Sequence, residues 1–337
     1  MKTQILSEKD IQAAAKILKS GGIVAIPTET VYGLAANALN ESTIKKIFEA
    51  KGRPSDNPLI VHISSINEIY SLVSEFPDKA QKLADAFWPG PLTIILKKSA
   101  TIPEIISSGL DTVAIRLPAH PVTREIIKAA GFPLAAPSAN LSGSPSPTKV
   151  SHVIGDLSGK IDAVVDAGTC AIGLESTVIS LCTKVPRVLR PGAVTIEQLR
   201  TVLGDVDIDT AVFNQLDENA QPISPGMKYK HYAPHAKVII INGSHEQYIN
   251  FVNSHASTNV AALCYEKDTK NLNVPTVTYG SEDDSNLQAA QLFDALRKCD
   301  AIQGIDTIYA RCPSREGVGL AVYNRLIRAA AFNVINL

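Results

Sequence analysis

The sequence predicts an α/β protein in two parts: a larger domain with a twisted mixed sheet and flanking helices, then a small Rossmann-like parallel α/β domain. Three observations lead there. Short apolar strands and amphipathic helices alternate along the chain, but not strictly, since Leu92 to Lys97 and Thr112 to Leu117 are joined by a loop. The pattern lapses after Gly204, and a fresh strand–helix alternation starts beyond Lys237. The length of 337 residues suits about two domains, at a soft prior of ~150 residues each. The expected division is 1–204, a linker at 205–236, and 237–337.

The first helix opens where Ser7 and Asp10 resemble a capping box. It places Ile11, Ala15 and Leu18 on one face and stops at Gly21–Gly22. A strand, Ile23 to Ile26, runs into the loop PTETVYGL (Pro27 to Leu34). A second helix, Glu41 to Lys51, turns Ile44, Ile47 and Phe48 to one side and ends before Pro54. Further helices are expected at 66–75, 79–87, 121–130, 148–157 and 196–203, the last opened by Thr195 with Gln198 at the reciprocal capping position. Strands are expected at 59–63, 92–97, 112–117, 133–136, 161–166, 175–181 and 187–190.

Residues 205–236 carry scattered acids and no amphipathic period, which reads as a linker. Within it SPGMKYKHYAP (Ser224 to Pro234) is unlike filler. Pro225–Gly226 fits a type II turn, and the stretch is long enough to lie across a pocket as a lid. Beyond it the pattern gives strand Val238 to Ile241, helix 245–254, strand Val260 to Cys264, helix 285–299, strand 306–310 and helix 319–331. That is a parallel layer of typical domain size.

Hydrophobic residues make up 45% of the chain and charged residues 19%, so a filled core is expected rather than disorder. A net charge of −1 argues against a large nucleic-acid footprint, which normally shows as a basic face. The amino-terminal stretch MKTQILSEKD becomes charged too early for a signal peptide, and no apolar run reaches the ~18 residues of a membrane helix. The five cysteines form no C-x-x-C pair, which disfavours a zinc site or a disulfide framework. A cytoplasmic protein is expected.

Polar residues gather at the ends of the apolar strands, where open α/β sheets collect ligands. Lys51 and Arg53 close a helix, where cations favour the dipole, yet Gly52 and Pro54 between and after them can hold both in place. Arg116 lies in an apolar strand and needs either a protein acid or an anionic ligand. His62 in LIVHIS is either a bonded core histidine or a pocket residue. Thr28 and Thr30 either cap a loop or line a pocket. PLAAPSAN ends on Ser138 and Asn140. Walker A, G-x-G-x-x-G and zinc-deaminase patterns are absent. Two cations, hydroxyls, amides and a strand arginine suit a ligand with both phosphates and a carboxylate.

Taken together, PTETVYGL, KGRPSDNPL, PLAAPSAN, LESTVI, RVLRPGA and SPGMKYKHYAP closely resemble the threonylcarbamoyl-AMP synthases in their long form. That form has a YrdC-like domain, a linker and a small C-terminal α/β domain. SREGVGLAVYNRLIRAA (Ser314 to Ala330) fits it too. The resemblance implies a nucleotidyltransferase that joins L-threonine, bicarbonate or CO2, and ATP into L-threonylcarbamoyl-AMP with release of pyrophosphate. It implies Mg2+ held by the triphosphate and water, and a downstream transferase that modifies the adenosine beside the anticodon of tRNA. Threonine contacts would fall on Thr30, His62, Arg116, Ala136 through its backbone, and Ser176. Nucleotide contacts would fall on Lys51, Arg53, Asn57, Thr112, Ser138, Asn140, Ser146, Arg190 and Tyr232, with Lys51 and Arg53 also stabilising the reacting phosphates. The competing class is a structured-RNA-binding translation or ribosome-assembly factor. A carbamoyl-adenylate enzyme fed by carbamoyl phosphate is a third reading, disfavoured because zinc-finger and acylphosphatase regions are absent.

Overall fold

The computed structural model describes residues 2–215 and 232–337 and contains two sheets. The first is built from β1 (Gln4–Ser7), β2 (Val24–Ile26), β3 (Gly33–Asn37), β4 (Ile60–His62), β5 (Leu92–Lys97) and β6 (Thr112–Arg116). Strands β7 (Leu134–Ala135), β8 (Ala163–Asp166), β9 (Thr177–Ser180), β10 (Arg187–Arg190) and β11 (Asp207–Ile208) complete it. Their order is β1-β8-β2-β3-β7-β4-β6-β5-β9-β10-β11. Parallel pairs such as β4 with β6 and β5 with β9 sit beside antiparallel ones such as β5 with β6, so the sheet is mixed, as the loop between the last two strands required.

Around it lie α1 (Ile11–Lys19), α2 (Glu41–Lys51), α3 (Asp78–Phe87), α4 (Glu104–Ser107), α5 (Pro121–Ala130), α6 (Val150–Leu157) and α7 (Ile196–Leu203). The apolar stripe read in α2 is the buried one, Ile44, Ile47 and Phe48. Asn40 caps that helix by accepting from the Ser42 N–H at 3.0 Å, and Gly52 ends it in the left-handed region at φ 59°. The capping box of α7 is present, with Thr195 and Gln198 in reciprocal bonds.

The second sheet comprises β12 (Lys237–Asn242), β13 (Val260–Cys264), β14 (Thr276–Thr278), β15 (Thr307–Arg311) and β16 (Val334–Asn336), in the order β14-β13-β15-β12-β16. Every pairing in it is parallel, as the alternation predicted. Helices α8 (His245–Ser254), α9 (Ser285–Asp300) and α10 (Gly317–Ala329) cover it.

Four local readings are corrected. Asp10 accepts from the Ser7 N–H and hydroxyl in the turn before α1, so that pair closes the turn and does not cap the helix. The helix expected at 66–75 is a 3₁₀ segment, Ile66–Ser71, because Leu72 and Val73 turn into the core and Val73 bridges Lys98. The end of the PTETVYGL loop is already sheet, since Gly33 starts β3. Residues after Gly204, read as linker, add β11 to the first sheet and bury Val206, Ala211 and Val212.

The two cores interlock. Val31 and Leu174 of the first part pack into the second apolar core, and Leu320 of α10 packs into the first. Gly173 takes φ +78° so close to α9 that a Cβ there would lie 2.5 Å from Ala290 Cα.

Candidate active site

A cleft enclosing about 750 Å³ of empty space, part of it open to solvent, lies over the ends of β4 and β6. It gathers all five residues to which threonine contacts were assigned: Thr30, His62, Arg116, Ala136 and Ser176. Of the nucleotide set, Lys51, Arg53, Ser138, Asn140, Arg190 and Tyr232 line it as well. Asn57, Thr112 and Ser146 do not. Thr112 begins β6, at the far end of the strand from Arg116. Asn57 and Ser146 are buried just behind the wall, where the Asn57 carbonyl accepts from Arg53 at 3.3 Å and Ser146 donates to Glu175.

The parallel register of β4 and β6 puts His62 directly beside Arg116. The acid that Arg116 needed is Glu29, at 2.6 Å from Nη2. Nη1 donates to Thr30 Oγ1 at 2.9 Å and Nε to the Gly90 carbonyl at 3.2 Å. Among the described residues three of its five N–H groups are thus engaged, which orients the guanidinium and leaves two for a ligand. Thr28 Oγ1 donates to the Val31 carbonyl at 2.6 Å, so the 2.7 Å contact between the two hydroxyls runs from Thr30 to Thr28. Burial is the largest single influence on Glu29 and works to raise it, but the Arg116 charge, the hydrogen bond from Arg116 and backbone hydrogen bonds together outweigh it and hold the carboxyl below its ordinary value.

His62 is 2% exposed, and burial, helped by the Arg116 charge, pushes it from 6.5 down to about 3. It is neutral at physiological pH, and its Nδ1 is buried without a partner among the described residues. The unfolded chain takes up a proton near pH 6.5 that the native state refuses until about 3, so stability is present above that window and is lost as pH falls through it. Between pH 7 and pH 5 this group should remove about 2 kcal/mol. Melting curves should show that slope, and His62→Gln should flatten it. Equal slopes in both proteins would contradict the assignment.

Lys51 is not a helix-end cation in solvent: it is 2% exposed, and Nζ donates to the Asn140 carbonyl at 2.6 Å and to that of Ser138. Among the described residues one of its three N–H groups remains for the cleft. Burial and then the neighbouring Arg53 hold it well below the ordinary lysine value. The Asn140 side chain donates to the Leu141 and Ser144 carbonyls and shapes the loop of small residues there, while its Oδ1 is buried without a partner among the described residues. Arg190 closes the opposite wall, donating through Nε to the Ser176 carbonyl at 3.0 Å and through Nη2 to its hydroxyl at 3.1 Å. Burial lowers it to about 10. Of SPGMKYKHYAP, residues 224–231 lie outside the described residues. Tyr232 at its end is buried, with its ring 5.1 Å from that of Phe293.

Sequence reasoning passed over Glu175, although it stands in LESTVI beside Ser176. It lines the cleft with both carboxylate oxygens engaged, one by Ser146 and the other by Arg325 Nε of α10 at 2.7 Å. Burial works to raise it, and the Arg325 and Arg190 charges hold it below its ordinary value instead. The available signal was Arg325 itself, a cation among the apolar residues of NRLIRAA, which requires an acid. Among the described residues no group of three or more His, Cys, Asp or Glu could hold a metal ion, and no helix is long and apolar enough to cross a membrane.

Comparison with known proteins gives two family models in tandem. One, described as Telomere recombination (Sua5, YciO and YrdC), matches residues 16–192, and the C-terminal domain of threonylcarbamoyl-AMP synthase matches 194–331. Threonylcarbamoyl-AMP synthase of Bacillus subtilis is 46% identical, over 99% of this chain and 97% of its own. That of Pyrococcus abyssi is 43% identical, over 98% and 97%. The solved structure of P. abyssi Sua5 complexed with L-threonine superposes with a TM-score of 0.90 at 42% identity, covering 99% of this chain and 100% of the other. E. coli YciO shares the fold of the first part, at a TM-score of 0.51 and 22% identity over 56% of this chain and 96% of its own.

Proposed function

The chain belongs to the threonylcarbamoyl-AMP synthases, and from that premise we infer that its cleft joins L-threonine, bicarbonate or CO2, and ATP into L-threonylcarbamoyl-AMP, releasing pyrophosphate. The observation that carries this reading is Arg116: a buried, pre-oriented guanidinium with two N–H groups to spare, beside a neutral histidine and two ordered threonines. Such a fork suits an amino-acid carboxylate. The RNA-binding alternative gains nothing from a cleft in which Lys51, Arg116 and Arg190 are buried and Arg53 half-buried.

In the proposed reaction the deprotonated threonine amine attacks CO2, forming an N–C bond and losing a proton. A carbamate oxygen then attacks the α-phosphorus in line, and the bond to the β-phosphate bridging oxygen breaks as pyrophosphate leaves. Lys51, Arg53 and Arg190 would face the charge that builds on the phosphoryl oxygens and the leaving group. Mg2+ would arrive with the triphosphate and keep water as its other ligands, since Glu175, the acid of the lining, is engaged by Ser146 and Arg325. The groups are set before substrate arrives, so positioning supplies much of the catalysis. We propose further that the product feeds a transferase acting on tRNA in the cytoplasm.

The test is pyrophosphate release from ATP, Mg2+ and bicarbonate. L-threonine should support it strongly and valine poorly, because a site that bonds the side-chain hydroxyl rejects an isostere lacking it by several kcal/mol. Equal rates with valine would sink the substrate assignment.

A further inference from the structure

The second domain sends one fully buried cation to the wall of the cleft. Arg325, in α10, is 0% exposed. Its Nε donates to Glu175 Oε2 at 2.7 Å, its Nη2 to the Glu175 carbonyl at 3.2 Å, and its Nη1 to Asn324 Oδ1 at 2.8 Å. Both ends of residue 175, side chain and peptide, are therefore held by one guanidinium. From there the network enters the site. The other Glu175 oxygen accepts from Ser146, and the next residue, Ser176, receives Arg190 on its carbonyl and its hydroxyl. The Tyr232 ring lies over the same guanidinium, 5.8 Å away.

Docking alone does not account for this pair. Apolar contacts of Val31, Leu174 and Leu320 join the two parts, as does the close approach of Gly173 to α9. Arg297 adds a bidentate pair with Asp156 at 2.8 and 2.9 Å, and Asp294 pairs with Lys149 at 2.8 Å. A desolvated ion pair is costly compared with apolar packing, so one whose acid faces the cleft calls for a reason beyond adhesion.

We propose that Arg325 is a positioning residue for the adenylation step: it acts from the second domain through Glu175 to fix Ser146 and, by way of the neighbouring Ser176 carbonyl, Arg190 at the nucleotide side of the cleft. The proposal rests on the reading of the cleft given above and assigns the second domain a part in the chemistry. Misplacing catalytic groups by about 1 Å costs on the order of 100-fold in rate, which sets the scale of the effect.

The test compares kcat for pyrophosphate release, threonine affinity by calorimetry, and melting temperature in wild type and variants. Arg325→Gln should lower kcat at least ~30-fold while threonine affinity changes less than ~3-fold, and Arg325→Lys should recover part of the rate. The Arg325→Gln/Glu175→Gln double variant removes both charges, so it should melt above Arg325→Gln but remain slow. Asp294→Asn, at the peripheral contact, should turn over as wild type. Recovery of rate together with melting in the double variant, an equal loss in Asp294→Asn, or a wild-type kcat in Arg325→Gln would each overturn the proposal. Should Arg325→Gln fail to fold, the lysine and double variants decide. A wild type that releases no pyrophosphate overturns the underlying reading, and the proposal with it.

Discussion

Arg116→Ala is expected to weaken L-threonine binding by about 30-fold to several thousand-fold, the equivalent of roughly 2 to 5 kcal/mol for removing one partner of a desolvated charge pair. ATP affinity should change little, because Arg116 sits at the carboxyl end of β6, away from Lys51 and Arg53 at the end of α2. The same substitution strips Glu29 of its cation. A buried acid left alone destabilises by roughly 3 to 5 kcal/mol, so the single variant will also melt lower. Pairing it with Glu29→Gln separates the two effects. The double variant should regain much of the melting temperature and none of the threonine affinity. Calorimetry showing wild-type threonine binding in that folded double variant would reduce Arg116 and Glu29 to a structural pair.

Lys51→Ala should lower turnover by about 100- to 1,000-fold, the usual cost of deleting one donor to charge developing in a transition state. A cation that only complements a helix dipole would contribute ~0.3 to 1 kcal/mol of stability and leave the kinetics normal. The burial of Lys51 and its bonds to two carbonyls favour the larger effect. Removing it also leaves the Ser138 and Asn140 carbonyls short of a buried donor, at about 1 to 3 kcal/mol each. Melting should therefore fall while threonine affinity holds. The pH profile carries an independent sign. The site needs the protonated amine, and burial lowers that group, so wild-type turnover should fall on the alkaline side before the ordinary lysine range is reached. Normal kinetics with a modest melting loss would return Lys51 to a structural role.

How much of this was legible in the chain depends on the physics of each element. The apolar stripe of α2, the capping box of α7 and the parallel second layer were readable because local pattern and burial agree there. Strand β3 was not. Gly33, Leu34, Ala35 and Ala36 carry little strand propensity, and pairing with β2 and β7 alone makes them sheet. The expected helix at 66–75 failed for a tertiary reason, the pull of Leu72 and Val73 into the core.

The site was legible as a set of residue types, and the YrdC-like motifs named most of the polar residues that line the cleft. What composition could not give was pairing across long separations. Glu29 with Arg116 spans 87 positions and Glu175 with Arg325 spans 150, so no local spacing announces either. Only the demand that a buried arginine find a protein acid or an anionic ligand was visible, and it named no partner. Asn57, Thr112 and Ser146, placed by resemblance, stand behind or beyond the cleft wall, and Ser146 donates to Glu175, which lines it.

The most direct test of the central claim follows a single carbon. Purified protein with ATP, Mg2+, L-threonine and 13C-labelled bicarbonate should form an adenylate whose mass matches L-threonylcarbamoyl-AMP and carries the label in its carbamoyl group, with one pyrophosphate released per adenylate. An adenylate formed at the same rate without bicarbonate, or one that carries threonine but no label, would contradict the account.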